Sequence, residues 1–179
     1  SYPVNTITGF LFSLLPIGGD VVWRVNLHAA FFQAATVVVF YVLVVSLFSL
    51  SKQRLPKDRI GLFLCAFAGS LFLAFSLIFW EYALKFEVFP LNNFYVVLLL
   101  LLSGKVYTIS DQGKKRLLLY LVAFVLGLAI THHQTSVLII PSLFVMLSKE
   151  VRSLLQVFFQ TIRAFFIGEK KAEQRGSYR

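Results

Sequence analysis

Charge and cysteine are what this sequence has least of. Only 14% of its 179 residues are charged, against about 25% in an ordinary soluble domain, while 58% are hydrophobic and 20 are Phe. A small domain leaves most of its residues in contact with water, so apolar surface on this scale has no soluble core to hide in. A soluble globule is excluded, and intrinsic disorder with it. Cys65 is the single cysteine, which rules out an intrachain disulfide and any cysteine-based metal centre. Acidic residues are scarce: eight Asp and Glu stand against 17 Lys and Arg, a formal charge of +9. In a soluble chain that excess would raise nucleic acid as a partner. Here the basic residues fall between apolar runs, so they read as topology signals and contacts to membrane lipid, with no nucleic acid. No P-loop, GxGxxG, GxSxG, HExxH or CxxC occurs, and no Asn-x-Ser/Thr sequon. No signal-peptide pattern opens the chain, and with no Met at position 1 Ser1 is expected to be the cut edge of a longer protein.

What is there is a series of membrane-length runs. A spanning helix needs about 20 largely apolar residues to cross roughly 30 Å of hydrocarbon. Ala29 to Leu50 and Ile60 to Trp80 meet that requirement. Val88 to Ile109 is a third crossing with a polar entrance at Pro90, Asn92 and Asn93. Leu117 to Leu147 is a 31-residue apolar region interrupted by Thr131-His132-His133-Gln134-Thr135. It is either one over-long span or two short ones joined by a tight turn, and charge decides between them. Loops kept in the cytoplasm carry an excess of Lys and Arg. Basic residues crowd 51–59 and 103–116, and seven follow Leu147, whereas the 131–135 turn has none. Two short spans keep that alternation unbroken, which predicts five crossings. Residues 51–59, 103–116 and 148–179 then face the cytoplasm, and 1–20, 81–93 and 131–135 face the lumen or exterior.

The expected fold is therefore all-α, a multi-spanning membrane bundle of about five transmembrane helices plus two interfacial amphipathic helices. One interfacial stripe is Ile7, Phe10, Leu11, Leu14 and Leu15, ended by Pro16 and Gly18-Gly19, with Asp20 placed to N-cap the first span. The other runs from Val151 to Phe166, with Arg152, Gln156, Gln160 and Arg163 opposite an apolar face. The domain organisation follows: membrane domain 1–147, cytoplasmic interfacial helix 148–167, and a disordered charged tail 168–179.

Polar groups beside hydrocarbon are costly and usually face a protein-lined cavity, so their placement carries information. Asp20, Arg24, Asn26, His28, Glu81, Glu87, Asn92, Asn93, His132, His133 and Gln134 gather on the extracytoplasmic side, and a site is expected there. Arg24 either snorkels to headgroups or holds a buried anion such as a lipid phosphate. Asn26 and His28 read as interhelical hydrogen-bonding residues. Glu87 is a general base, an acceptor for sugar hydroxyls or a solvated carboxylate, and Glu81 is structural. His132 and His133, adjacent in sequence, point apart and make a poor metal pair, unlike His at i and i+4, so no metal site is expected. With Gln134 they form either a polar lid for a phosphate or sugar, or a hydrogen-bonded turn. Gly61, Cys65 and Gly69, with Ala66, Ser70 and Ala74 alongside, form a small-residue face suited to close helix packing.

Tyr2-Pro3, Pro16-Ile17-Gly18, Trp23-Arg24-Val25-Asn26-Leu27, Glu87-Val88-Phe89-Pro90-Leu91-Asn92-Asn93-Phe94 and Gly127-Leu128-Ala129 before the His-Gln-Thr turn together resemble the transmembrane protein 260 family (domain of unknown function 2723). The resemblance runs to about Leu147 and implies a glycosyltransferase of the GT-C architecture, similar to protein O-mannosyltransferases. It implies an enzyme of the endoplasmic reticulum membrane, or of the cytoplasmic membrane in a bacterium. That enzyme would move a sugar, mannose by resemblance, from a polyprenyl- or dolichyl-phosphate carrier to a protein Ser/Thr hydroxyl on the luminal side. No firm cofactor is implied, the lipid-linked sugar being a substrate. The family's acidic Gly-Asp-Ser-Gly-Glu-like motif precedes the segment matched by Tyr2-Pro3, so the catalytic Asp is expected ahead of Ser1. Substrate-binding roles fall to Arg24, Glu87, Asn92, His132, His133 and Gln134. The sequence departs from the family at the turn, where Gln134 stands in the place of a His. The competing readings are a transporter or lipid flippase, and a non-catalytic scaffold subunit packing through the Gly61 face. A transporter is expected to carry mid-membrane ionisable groups or inverted repeats, and neither is found.

Overall fold

A computed structural model describes residues 2–50, 59–150 and 152, which are all-helical with no strand among them. The chain divides into two compact units, Ser1–Met146 and Leu147–Arg179. In the first unit α1 is Pro3–Ser13, α2 Val21–Leu50, α3 Arg59–Ala74, α4 Leu77–Ala83, α5 Phe89–Thr108 and α6 Gln112–His132, followed by a 3-10 turn over Gln134–Ile139 and a helix from 140. The second unit is described only at 147–150 and 152, where it is helical. The predicted interfacial helix over 151–166 and the tail beyond it lie outside the described residues apart from Arg152, as does most of the 51–59 loop.

Among the described residues three helices are long and apolar enough to cross a membrane: Val21–Phe48, Phe89–Thr108 and Gln112–His132. A fourth crossing exists if Ile60–Ala74 and Leu77–Ala83, bent by 66° at their junction, count as one broken span. The fifth crossing expected after the 131–135 turn is not confirmed by a helix of spanning length among the described residues. The first span also starts earlier than its apolar run, at Val21, because Asp20 caps it: Asp20 Oδ1 accepts from the Trp23 amide at 2.7 Å. Asp111 caps α6 likewise, taking the Gly113 and Lys114 amides.

The second span breaks where sequence alone suggests continuity. The Ser76 hydroxyl donates to the Leu73 carbonyl at 2.9 Å and the Ser76 amide bonds the same carbonyl. This local bond competes with the α-helical ladder, and Ser76 turns extended to start α4. Gln33, buried on α2, then takes hold of the new helix: its Nε2 donates to the Phe79 carbonyl at 3.1 Å, while its Oε1 accepts from Asn93 Nδ2 of α5 at 3.4 Å.

α2 is the spine, packing most extensively on α5 and also on α3, α1 and α4. Its contact with α3 uses Ala66 and Ser70, which are buried, but the rest of the small-residue face is open: nothing lies within 4 Å of a Cβ placed on Gly61 or Gly69, and Cys65 is exposed. α1 turns its stripe outward as expected. Ile7, Phe10, Leu11 and Leu14 are 57–62% exposed, whereas Asn5 and Gly9 are buried against the bundle. Gly9 is required there, because a Cβ would come within 2.4 Å of the Phe86 ring. Eleven residues rise only about 16 Å, too short to span, so α1 lies against the end of the bundle where α2 begins.

Gln33 holds two elements at once, so Gln33→Leu removes the bond to the Phe79 carbonyl and leaves the Asn93 amide without that partner. A polar contact between helices in a membrane is worth about 0.6 to 2 kcal/mol. We expect destabilisation of that order in reversible unfolding of the purified protein, with the loss shared by Asn93→Leu in a double-mutant cycle.

Candidate functional site

The start of α5, the end of α6 and the N-terminus of α1 meet at one rim. α6 ends when His133 turns extended and its side chain folds onto the following turn, where Nδ1 accepts from the Thr135 amide at 3.2 Å and pairs with the Thr135 hydroxyl. Ser136, buried next in line, donates its hydroxyl to Asn92 Oδ1 at 2.7 Å. The turn is thereby fixed to the first turn of α5, which is opened by Pro90 at a position where no amide is needed.

The two adjacent histidines point apart, as expected, and have different jobs. His132 is 1% exposed, and its Nε2 lies 2.8 Å from the Val88 carbonyl. A carbonyl only accepts, so Nε2 carries the proton and Nδ1 is left as a bare lone pair, buried without a partner. His133 is the reverse. Its Nδ1 accepts from Thr135, so in the neutral ring Nε2–H is a donor not used by the turn. Its ring stacks on Tyr2 at 5.5 Å and 7°, and meets Phe89 at 5.8 Å. Tyr2, Thr131, His133, Gln134 and Thr135 line an open, largely polar cavity of about 350 Å³, with Ile130 and His132 completing its wall. It can receive a group with hydroxyl or phosphate oxygens against an aromatic wall.

A second buried histidine lies behind α1. His28 is fully buried among Phe12, Phe32 and Phe86. The Thr8 hydroxyl reaches the Val4 carbonyl at 2.8 Å, leaving its oxygen to accept from His28 Nε2 at 2.8 Å. Asn26 accepts the Phe86 amide at 3.0 Å. His28 therefore makes the interhelical bond expected of it, whereas Asn26 bonds the connection between α4 and α5.

Of the sequence-derived candidates, the structure brings together Asn92, His132, His133 and Gln134. Glu87 is half-buried one residue before the Val88 carbonyl that His132 binds, and its carboxylate has no hydrogen-bond partner among the described residues. Arg24 is not in this cluster. Its Nη1 donates to the Leu15 carbonyl at 3.0 Å, at the end of α1 away from Tyr2, and its Nε is buried without a partner. It clamps the α1–α2 connection, where Gly19 has φ +94° and a Cβ would meet the Trp23 ring. Glu81 pairs with Lys85 on the surface at 2.8 Å, and that carboxylate holds the Lys85 ammonium above its usual range. Among the described residues no three His, Cys, Asp or Glu side chains are grouped to hold a metal.

Sequence reasoning missed Tyr2, Thr135 and Ser136 as parts of the site. Thr135 and Ser136 had a readable signal, being hydroxyls directly after a helix-terminating histidine. Tyr2 had none, since its stacking depends on how α1 docks.

Residues 1–155 match the family profile of the protein O-mannosyl-transferase TMEM260 N-terminal domain. Over 172 residues the chain is 30% identical to the mouse (Mus musculus) protein O-mannosyl-transferase TMEM260, covering 93% of this chain and 23% of that protein. The chain thus spans about a quarter of the relative's length. No solved structure matches. With the match extending over most of its length, the chain belongs to the TMEM260 N-terminal-domain family.

Proposed function

We propose that this chain is the donor-side part of a membrane glycosyltransferase that moves mannose from a polyprenyl- or dolichyl-phosphate carrier to a protein Ser/Thr hydroxyl on the luminal face of the endoplasmic reticulum, or outside the cytoplasmic membrane in a bacterium. The observation that carries the reading is the polar cavity at the rim of a bundle whose family is named for O-mannosyl transfer. The acceptor oxygen attacks the anomeric carbon, the carbon–oxygen bond to phosphate breaks, and the phosphate leaves with that electron pair. A single displacement inverts the anomeric centre. The acceptor proton goes to a carboxylate, the Asp that the family resemblance puts ahead of Ser1.

Within this chain His133 donates from Nε2 to a sugar or phosphate oxygen, and Gln134 and Asn92 add amide contacts. Glu87, with its free carboxylate, accepts from sugar hydroxyls. His132 acts through the Val88 carbonyl, holding the Glu87 segment in place. A phosphate diester leaves readily, so the reaction calls for a cation to hold it more than an acid to protonate it. Arg24, at the other end of α1 from this cavity, bears on transfer through the α1–α2 connection that it clamps.

His133→Phe keeps the ring stack and removes the donor. In the full-length protein it should lower mannose transfer in microsomes by about a hundredfold, the lower edge of the range for loss of a positioned donor, with membrane insertion unchanged. Undiminished transfer would remove His133 from the site. Arg24→Ala should also lower transfer with insertion intact, and a Lys at that position should restore part of it; equal activity of all three forms would separate that clamp from transfer. For sidedness, a cysteine at exposed Gln134 should react with a membrane-impermeant thiol reagent only from the luminal side, and labelling from the cytosol would overturn the proposed orientation.

A further inference from the structure

The 66° break between α3 and α4 opens a crevice on the side of α2 away from the polar cavity. Its inner part, about 270 Å³, lies between Ala30, Ala34 and Val37 of α2 and Phe79 and Ala83 of α4, and its wall is almost wholly apolar. Of the polar side chains on it, Gln33 has both amide atoms engaged, by the Phe79 carbonyl and by Asn93, and Trp80 brings only its indole N–H. The crevice therefore offers water little to bond, and an apolar space of this kind disfavours water. It continues past Ala30, Ala83 and Leu84 into a second space of about 240 Å³ that ends at Trp23 and Asn26. There the character changes. Asn26 gives its carbonyl oxygen to the Phe86 amide, but its Nδ2 and the Trp23 indole N–H have no protein partner among the described residues.

We infer that this crevice is a binding site for a membrane glycerophospholipid, one acyl chain lying under the bent helix with the phosphate and ester oxygens at Trp23 and Asn26. Three features select that occupant. The crevice runs along α2, a spanning helix, so hydrocarbon is what surrounds it. From Trp23 to Val37 is fourteen residues, about 21 Å of helix rise, comparable to the roughly 15 Å depth of one leaflet plus its headgroup region. A phospholipid acyl chain has that length, whereas a polyisoprenoid chain is several times longer than the crevice. The unused Asn26 amide, which lies at one end beside Trp23, gives the site a head and a tail. The site is separate from the cavity at His133 and does not depend on the reading of that cavity.

The test uses the full-length protein in proteoliposomes containing a phosphatidylcholine with a photoactivatable diazirine near the end of one acyl chain. Saturable adducts are expected on the α2 and α4 peptides around Ala34 and Phe79, competed by unlabelled phosphatidylcholine. Ala34→Trp fills the crevice and should lose the adduct, while Val38→Trp, on an exposed face of α2, should keep it. If Ala34→Trp does not insert, Ala83→Leu serves in its place. Labelling spread evenly over exposed positions such as Phe72, competition by polyprenyl phosphate but not by phosphatidylcholine, or absence of any adduct because another segment fills the crevice would each overturn the inference.

Discussion

Hydrocarbon gives no hydrogen bond to a freed backbone group, and this constraint organises the bundle. At the breaks between α1 and α2, α3 and α4, and α4 and α5, a polar side chain from another turn or helix reaches the backbone at or beside the interruption. Arg24 reaches the Leu15 carbonyl between α1 and α2, Gln33 the Phe79 carbonyl just past the α3–α4 break, Asn26 the Phe86 amide and His132 the Val88 carbonyl in the connection to α5. Two of these anchors, Arg24 and Asn26, sit within one helical turn of each other on α2, which explains why that helix is the spine. The short connections are pinned with them, and so is everything the connections carry.

The candidate site follows from this stapling. Residues spent on backbone groups are not free for a ligand, so the polar rim divides into groups already bonded and groups left open. His132 is spent on the Val88 carbonyl, and Nε2 of its neighbour His133 is left open. Thr135 decides the division by taking His133 Nδ1, which turns the other ring nitrogen into a donor. Glu87 stays available because the bonds on either side of it, at Phe86 and Val88, are made by the backbone. The geometry supplies an imidazole donor and an aromatic wall on one rim.

Much of the fold was legible in the sequence because the membrane enforces length. The run Val88–Ile109 predicted a helix found at Phe89–Thr108, and Asp20 and the Ile7–Leu14 stripe behaved as their positions required. The break at Ser76 was not legible, since serine is tolerated inside apolar helices and only its bond to Leu73, together with Gln33 waiting on α2, makes the bend the stable outcome. The small face of α3 was half legible. Ala66 and Ser70 pack on α2, but Gly61 and Gly69 meet nothing in the described residues.

By itself the sequence determined the helical membrane class, the approximate spans and the gathering of polar residues at span ends, because the cost of burying polarity in hydrocarbon depends only on how residues are spaced along the chain. Tertiary structure alone decided which of those residues serve the backbone and which remain open. Whether His132 is free, whether Arg24 meets a loop, and where a bent helix leaves a crevice all depend on partners 9 to 46 residues away. Those partners become neighbours only once the helices have packed.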